Sequence, residues 1–322
     1  MDSDEAGGEG RLTDPEVVQL IEQDRIDVLV NLAGHTGDNR LAVMAHKPAP
    51  LQVSFMGYPD TTGMAQVDYR FTDRWADLVD AQGFHTEQLM WLQSGFICYR
   101  PPGFAPAVGP LPALDKGFVT FGSFNNNGKI NAHVLDLWAQ VLRAVPRSRV
   151  LLKFEGGDDG PVQQHYMDEL SRRGISPDRI TIVGRRPVLE HWDLYNQVDI
   201  ALDTFPYHGT TTTCEALWMG VPSVTLVGKH HASRVGLSLL ARTGLETFAA
   251  ATPAEYVAKA AAYAGELDNL AVIRRSLRHM MQASPLCDAK AHARDVEAAY
   301  RMMWRTWCGT RTQNAERRTH GS

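Results

Sequence analysis

Cysteine is scarce in this chain: Cys98, Cys214, Cys287 and Cys308 are the only four in 322 residues, and no two form a CxxC pair. That spacing indicates neither a zinc site nor a disulfide framework, and reduced thiols in a cytoplasm are the simplest reading. Positive charge is not in excess. The net charge of −5 leaves no basic footprint, so no nucleic-acid partner is expected. Long apolar runs are missing as well. None reaches the roughly 18 residues that span a bilayer, so no membrane association is expected. The opening MDSDEAGGEGR is acidic and Gly-rich and lacks the basic and apolar regions of a signal peptide. No GxGxxG follows the first strand and no GxxxxGK(S/T) occurs, which argues against a dinucleotide cofactor and a P-loop. There is no internal repeat.

The remaining composition, 44% hydrophobic and 21% charged, is that of an ordinary globular protein long enough for two domains. Apolar strands alternate with helical patterns. A short helix begins at Thr13-Asp14-Pro15-Glu16. Strands are expected at 27–32, 51–55, 69–72 and 89–92, with a helix over 39–46. Residues 100–114 hold five prolines and read as a linker. A second alternating block follows, with strands at 119–124, 149–154, 180–183, 199–202 and 223–226. Its helices are expected over 132–145, 162–173, 189–198, 233–242, 253–264 and 267–282, and a last amphipathic helix over about 288–307. This pattern predicts an α/β fold with two Rossmann-like domains facing across a cleft, where a ligand would sit at the carboxyl ends of the strands. The expected division is a disordered tail (1–12), a partial N-terminal domain with linker (13–112), a C-terminal domain (113–286), a helix (287–308) and a mobile tail (309–322).

The most informative stretch is DTFPYHGTTTTCEALWMG, residues 203–220. A strand runs into a Gly-containing loop, four threonines and a helix. The first N–H groups of a helix have no helical partner and the dipole adds positive potential, so this start is suited to an anion. Thr210 to Thr213 add hydroxyl donors, and Glu215, one turn in, can accept from a sugar hydroxyl. The plain alternative is a Thr-rich helix cap.

Several segments together resemble the catalytic region of protein O-GlcNAc transferases, including bacterial and plant SPINDLY-like members. They are DVLVNLAGHTGDNRLAVMAHKPAPLQVSFMGYPDTTG (27–63), VDYRFTD (67–73), FGSFNNNGKINAHVLDLWAQVLRAVPRSRVLLK (121–153) and DRITIVG (178–184). EHWDLYNQVDIALDTFPYHGTTTTCEALWMGVPSVTL (190–226), ASRVGLSLL (232–240) and SPLCDAKAHARDVEAAYRMMW (284–304) continue in the family's order. The resemblance implies the two-domain GT-B arrangement. It also implies transfer of N-acetylglucosamine from UDP-GlcNAc to Ser or Thr of a protein or peptide acceptor, with inversion, without a cofactor and without an essential metal. It assigns Lys129 as the catalytic lysine beside the diphosphate, where an ammonium offsets charge on the departing UDP. Asn126 falls where animal enzymes carry Gln, and His191 where a histidine packs beside the uracil. Thr211 and Thr212 match phosphate-contacting hydroxyls. Thr210 replaces a histidine of the animal enzymes, and Glu215 an Asp that contacts the ribose. His35, Tyr58 and Pro59 follow strand ends of the first domain and fall on the acceptor or sugar side, His35 with the chemistry of a base.

Other candidates are weaker. Asp2-Ser3-Asp4 spells a metal-binding DxD but follows no strand. His230-His231 lacks a third ligand nearby and reads as a surface loop. Met302, Met303, Trp304 and Trp307 read as core packing of the last helix. Nothing in residues 1–26 matches the family's preceding βα units, so the first domain is expected to be incomplete, with an open strand edge and exposed apolar surface. The alternative function is therefore a UDP-sugar-binding module that is catalytically incomplete.

Overall fold

The structure is a computed structural model that describes residues 12–319. The expected disordered tail, Asp2-Ser3-Asp4 with it, lies outside the described residues except for Leu12. The chain divides into two compact units. The first comprises residues through Arg74, Leu78–Phe96 and Ala293 onward; the second comprises Trp75–Asp77 and Ile97–His292.

In the first unit, helix α1 (Asp14–Gln23) opens on Thr13, whose N–H and hydroxyl both donate to the Glu16 carboxylate at 2.7 and 2.8 Å. Strand β1 (Val28–Asn31), helix α2 (Leu41–Ala45) and strands β2 (Leu51–Ser54), β3 (Tyr69–Thr72) and β4 (Gln88–Trp91) follow. The four strands are parallel and lie in chain order. Strands β2 and β3 are buried along their whole length, as central parallel strands are. Strand β1 pairs only with β2 among the described residues, and all four of its residues are half-buried. Leu12, Leu20, Ile26 and Leu32 near it are exposed.

The second unit contains α3 (Pro112–Lys116), β5 (Thr120–Ser123), α4 (Ala132–Ala144), β6 (Arg149–Lys153), α5 (Gly160–Arg172), β7 (Ile180–Val183) and α6 (Val188–Leu194). It continues with β8 (Ile200–Leu202), α7 (Thr211–Trp218), β9 (Ser223–Leu226), α8 (Val235–Thr243), β10 (Ala249–Ala250), α9 (Pro253–Gly265) and α10 (Leu267–Gln282). Its six strands are parallel in the order β10-β9-β8-β5-β6-β7. The chain leaves β5 toward β6 on one side and returns to β8 on the other. The carboxyl ends of β5 and β8 therefore flank the switch point of a doubly wound sheet, where such sheets bind ligands.

Two boundaries differ from those the sequence suggests. The Pro-rich stretch is not a free linker, because it is fastened to the second unit. Arg274 donates to the Gly109 carbonyl at 2.9 Å and Arg278 to the Pro106 carbonyl at 2.7 Å, while the buried Asp199 carboxylate accepts from Ala113 N–H at 2.9 Å. The last helix, α11 (Ala289–Thr319), continues beyond 308 into the expected mobile tail. A single glycine, Gly309, is too small a penalty to end it, about 1 kcal/mol. Residues 320–322 lie outside the described residues.

Helix α11 covers the sheet of the first unit. Ala299 and Met303 are buried against Leu51, Val53, Tyr69, Phe71 and Leu92, with Trp304 and Trp307 packed alongside. Met302 does not share this role, since it faces outward at 49% exposure. Met303→Ala should therefore destabilise the first unit by about 2–5 kcal/mol, and Met302→Ala by no more than about 0.5 kcal/mol. Urea denaturation followed by tryptophan fluorescence checks this, and equal shifts for the two variants would contradict the placement of α11.

Candidate functional site

The loops after β5 and β8 carry the central residues of the second unit. Beyond β8, Asp203 is buried and turns the chain: its Oδ1 accepts from Thr204 N–H at 2.9 Å and Gly209 N–H at 2.8 Å, and its Oδ2 from the Thr225 hydroxyl at 2.8 Å. His208 is 0% exposed. Gly236 N–H donates to its Nδ1 at 3.0 Å, which leaves Nε2–H to donate to the Leu226 carbonyl at 2.9 Å. Both ring nitrogens are thus used by a neutral imidazole, and burial pushes its pKa below the ordinary histidine value, against the pull of Asp203. Gly209 is required by space. A Cβ there would stand 2.6 Å from the Thr212 hydroxyl and 2.7 Å from Asn125 Oδ1.

Lys129 reaches this loop from the turn after β5. Its Nζ donates to the His208 carbonyl at 2.8 Å and lies 3.9 Å from the centre of the Tyr207 ring. Burial lowers its pKa from the usual lysine range, and the Asp203 carboxylate works in the opposite direction. Asn126 is exposed and spends its side-chain oxygen on Gly128 N–H at 2.8 Å, so only its amide N–H groups remain to meet a ligand.

Helix α7 begins at Thr211, which leaves the N–H groups of its first turn without helical partners. The four threonines are not equivalent. The Thr213 hydroxyl donates to the Gly209 carbonyl at 3.0 Å and the Thr212 hydroxyl to Asn125 Oδ1 at 2.9 Å. Thr210 is half-buried, and Thr211 is exposed. One turn on, Glu215 Oε2 meets His191 Nε2 at 3.1 Å and accepts from the Tyr195 hydroxyl at 3.0 Å. His191 and Glu215, 24 residues apart in sequence, are therefore joined directly. A cavity of about 20 Å³ behind Thr212, lined by Ser123, Asn125, Asp203 and Tyr195 among others, holds no more than a water. A larger ligand has to lie over the loop ends.

Asn125, Tyr195 and His208 are missed by the sequence reading. Tyr195 carries a usable signal, because it falls four residues after His191 and so on the same helical face. His231 is also misread: it is 1% exposed and its Nδ1 meets Asp77 Oδ2 at 2.7 Å, so it is buried pairing, not a surface loop.

In the first unit, His35 and Tyr58 come together after β1 and β2. Their rings meet edge-on with centroids 5.2 Å apart, and His35 Nε2 lies 2.9 Å from the Thr62 carbonyl, to which it can only donate. Nδ1 is then the nitrogen left to accept a proton. Pro59 follows Tyr58, whose carbonyl accepts from the buried Arg70 at 2.8 Å. Among the described residues no helix is long and apolar enough to cross a membrane.

The buried neutral His208 sets a pH dependence. Its folded pKa lies below the unfolded value of about 6.5, so its contribution to stability is complete above that pH and is lost as pH falls toward the folded value. Urea midpoints measured from pH 7.5 to 5 should fall, and fall less steeply in His208→Gln. Identical slopes would mean that His208 takes no part.

Comparison with known proteins identifies the family. The model of the family described as Glycosyl transferase family 41 matches residues 13–99 and 112–296. A probable UDP-N-acetylglucosamine–peptide N-acetylglucosaminyltransferase SPINDLY of Solanum lycopersicum is 45% identical over 301 residues, covering 92% of this chain and 32% of the relative. The Arabidopsis thaliana protein SEC, named as the same probable activity, is 30% identical over 91% of this chain and 30% of its own length. The chain thus spans about a third of the curated relatives it matches. A solved mutant O-GlcNAc transferase of Thermobaculum terrenum superposes with a TM-score of 0.87 at 38% identity, covering 93% of this chain and 57% of that one. Anabaena HepE, solved with UDP-glucose, shares the fold alone, at a TM-score of 0.55 and 13% identity over 89% of this chain and 81% of that one. On the family match and the identity to these relatives over most of its length, the chain belongs to glycosyltransferase family 41.

Proposed function

We propose that this chain carries the donor-binding part of a protein glycosyltransferase that moves N-acetylglucosamine from UDP-GlcNAc to Ser or Thr hydroxyls of a protein or peptide, with inversion and without a metal. The observation that carries the reading is that Lys129, in the turn after β5, is bonded to the loop after β8 that leads into the open start of α7, at the β5–β8 switch point. In a single displacement the acceptor oxygen attacks C1 of the sugar, the bond from C1 to the diphosphate oxygen breaks, and UDP departs with the electron pair. An ammonium, already fixed by the His208 carbonyl and the Tyr207 ring, can meet the charge that develops there without rearranging. The N–H groups of Thr211 to Thr213 offer the same service to the diphosphate. Fixed positive charge from these two sources does the work that a divalent cation does elsewhere. His35 Nδ1 is the candidate acceptor of the hydroxyl proton.

A second reading, a nucleotide-sugar-binding module without transfer, is favoured by the smaller first sheet, four strands against six, with β1 paired on one side among the described residues. Both readings require UDP to bind the second unit.

Calorimetry in EDTA should show UDP binding, with uridine much weaker; binding that appears only with Mg²⁺ or Mn²⁺ would overturn metal independence. Thr211→Val should weaken UDP more than Thr212→Val does, because the Thr212 hydroxyl already donates to Asn125. The expected loss for Thr211 is about 1.5–3 kcal/mol, absent for uridine. Equal losses for UDP and uridine would remove Thr211 from the diphosphate.

In any preparation that transfers sugar, Lys129→Met should lower the single-turnover rate by on the order of 10²–10³ while UDP-GlcNAc affinity changes far less. A rate loss matched by the affinity loss would make Lys129 a binding residue only.

A further inference from the structure

Lys153 has no place in the account so far, yet its position is unusual. It is the last residue of β6 and stands in register with Val183, the last residue of β7. Its stem is half-buried, and its ammonium makes no hydrogen bond or ion pair with the protein among the described residues. A lysine drawn partly out of water without a partner is an unfavourable placement unless something else meets the charge. Of the cations near it, Arg186 is held by both oxygens of Asp158, which also accepts from Gly184 N–H at 2.9 Å. Burial lowers the Lys153 pKa; the Glu215 carboxylate opposes that shift, whereas Arg185 and Arg186 add to it. Glu215 is the carboxylate already joined to His191 and Tyr195.

Strand order places Lys153 to one side of the seam. The phosphate-binding groups follow β5 and β8, at the seam of the sheet. On the β5 side the next strands outward are β6 and β7. His191 lies on α6, which follows β7, and meets Glu215 on α7. A nucleoside diphosphate with its phosphates at Lys129 and Thr211 and its base on the His191 side would extend toward the carboxyl ends of β6 and β7, where Lys153 stands.

Resting on the function proposed above, we infer that Lys153 reads the base of the nucleotide by donating a hydrogen bond to a ring keto oxygen. An ammonium only donates. It is matched by O4 of uracil or O6 of guanine, and opposed by the amino group that cytosine and adenine carry at the corresponding position. Lys153 is then a specificity-determining residue, separate from Lys129 in place and in task.

The test is calorimetry on the full chain in EDTA with UDP, CDP, GDP, ADP, uridine and pyrophosphate, for the wild type, Lys153→Met and Lys153→Arg. Wild type should prefer UDP to CDP by on the order of tenfold or more. Lys153→Met should lose most of that factor for UDP and uridine alike, leave CDP and pyrophosphate within about twofold and bring the UDP-to-CDP ratio near one; Lys153→Arg should keep part of the preference. Tighter binding of GDP than UDP, with the same collapse in Lys153→Met, supports the keto contact and makes guanine the base. Equal losses for UDP, CDP and pyrophosphate would make Lys153 a general phosphate attractor, and unchanged UDP binding would remove it from the site; either result overturns the inference and leaves the proposed function standing. Failure of every nucleotide to bind the wild type overturns both.

Discussion

The site depends on a small buried polar knot behind it. Asp203 gathers Thr204, Gly209 and Thr225, and His208 spans Leu226 and Gly236 through its two nitrogens. None of these groups is left wanting a partner, which is the condition for burying them at all. What the knot holds is a loop whose outward products are a backbone carbonyl and an aromatic ring, both presented to Lys129. The same turn delivers Gly209 and then the start of α7. Lys129 and the start of α7 are consequently fixed by one local structure, and a loss of neutrality at His208 would reach both.

Electrostatically the arrangement concentrates positive potential without net positive charge. The chain as a whole carries −5. The positive end of α7, Lys129 and Lys153 are positioned by the ends of parallel strands, so the positive potential there is local and does not follow from overall charge. Burial works on both lysines in the same direction, toward easier deprotonation, and a carboxylate opposes it in each case, Asp203 for one and Glu215 for the other. A bound diphosphate would oppose the shift at Lys129 as Asp203 does.

Much of this was legible in the sequence because it is local. Parallel strands read as apolar runs, Thr13 as a helix start, and the loop from Asp203 into four threonines as a strand end leading to a helix; each appears in the structure at that place. Less legible was what long-range contacts decide. The Pro-rich segment reads as a linker until Arg274 and Arg278, more than 160 residues away, are seen to hold its carbonyls. The pairing of His231 with Asp77 and the use of Thr212 on Asn125 are likewise contacts between distant segments, with no periodicity to announce them. Met302 and Met303 show the limit at the finest scale: adjacent residues of one type, separated into solvent and core by the 100° between neighbouring helical positions.

The claim on which the rest stands is that the diphosphate of a nucleotide is held at the β5–β8 seam by the start of α7 and by Lys129. A crystal structure of this chain with UDP bound in the absence of divalent metal tests it most directly. Phosphate oxygens should lie within hydrogen-bond distance of N–H groups in the Thr211–Thr213 turn and of Lys129 Nζ, with the base toward β6 and β7. UDP bound away from that turn, or seated there with its base on the phosphate side, would contradict it.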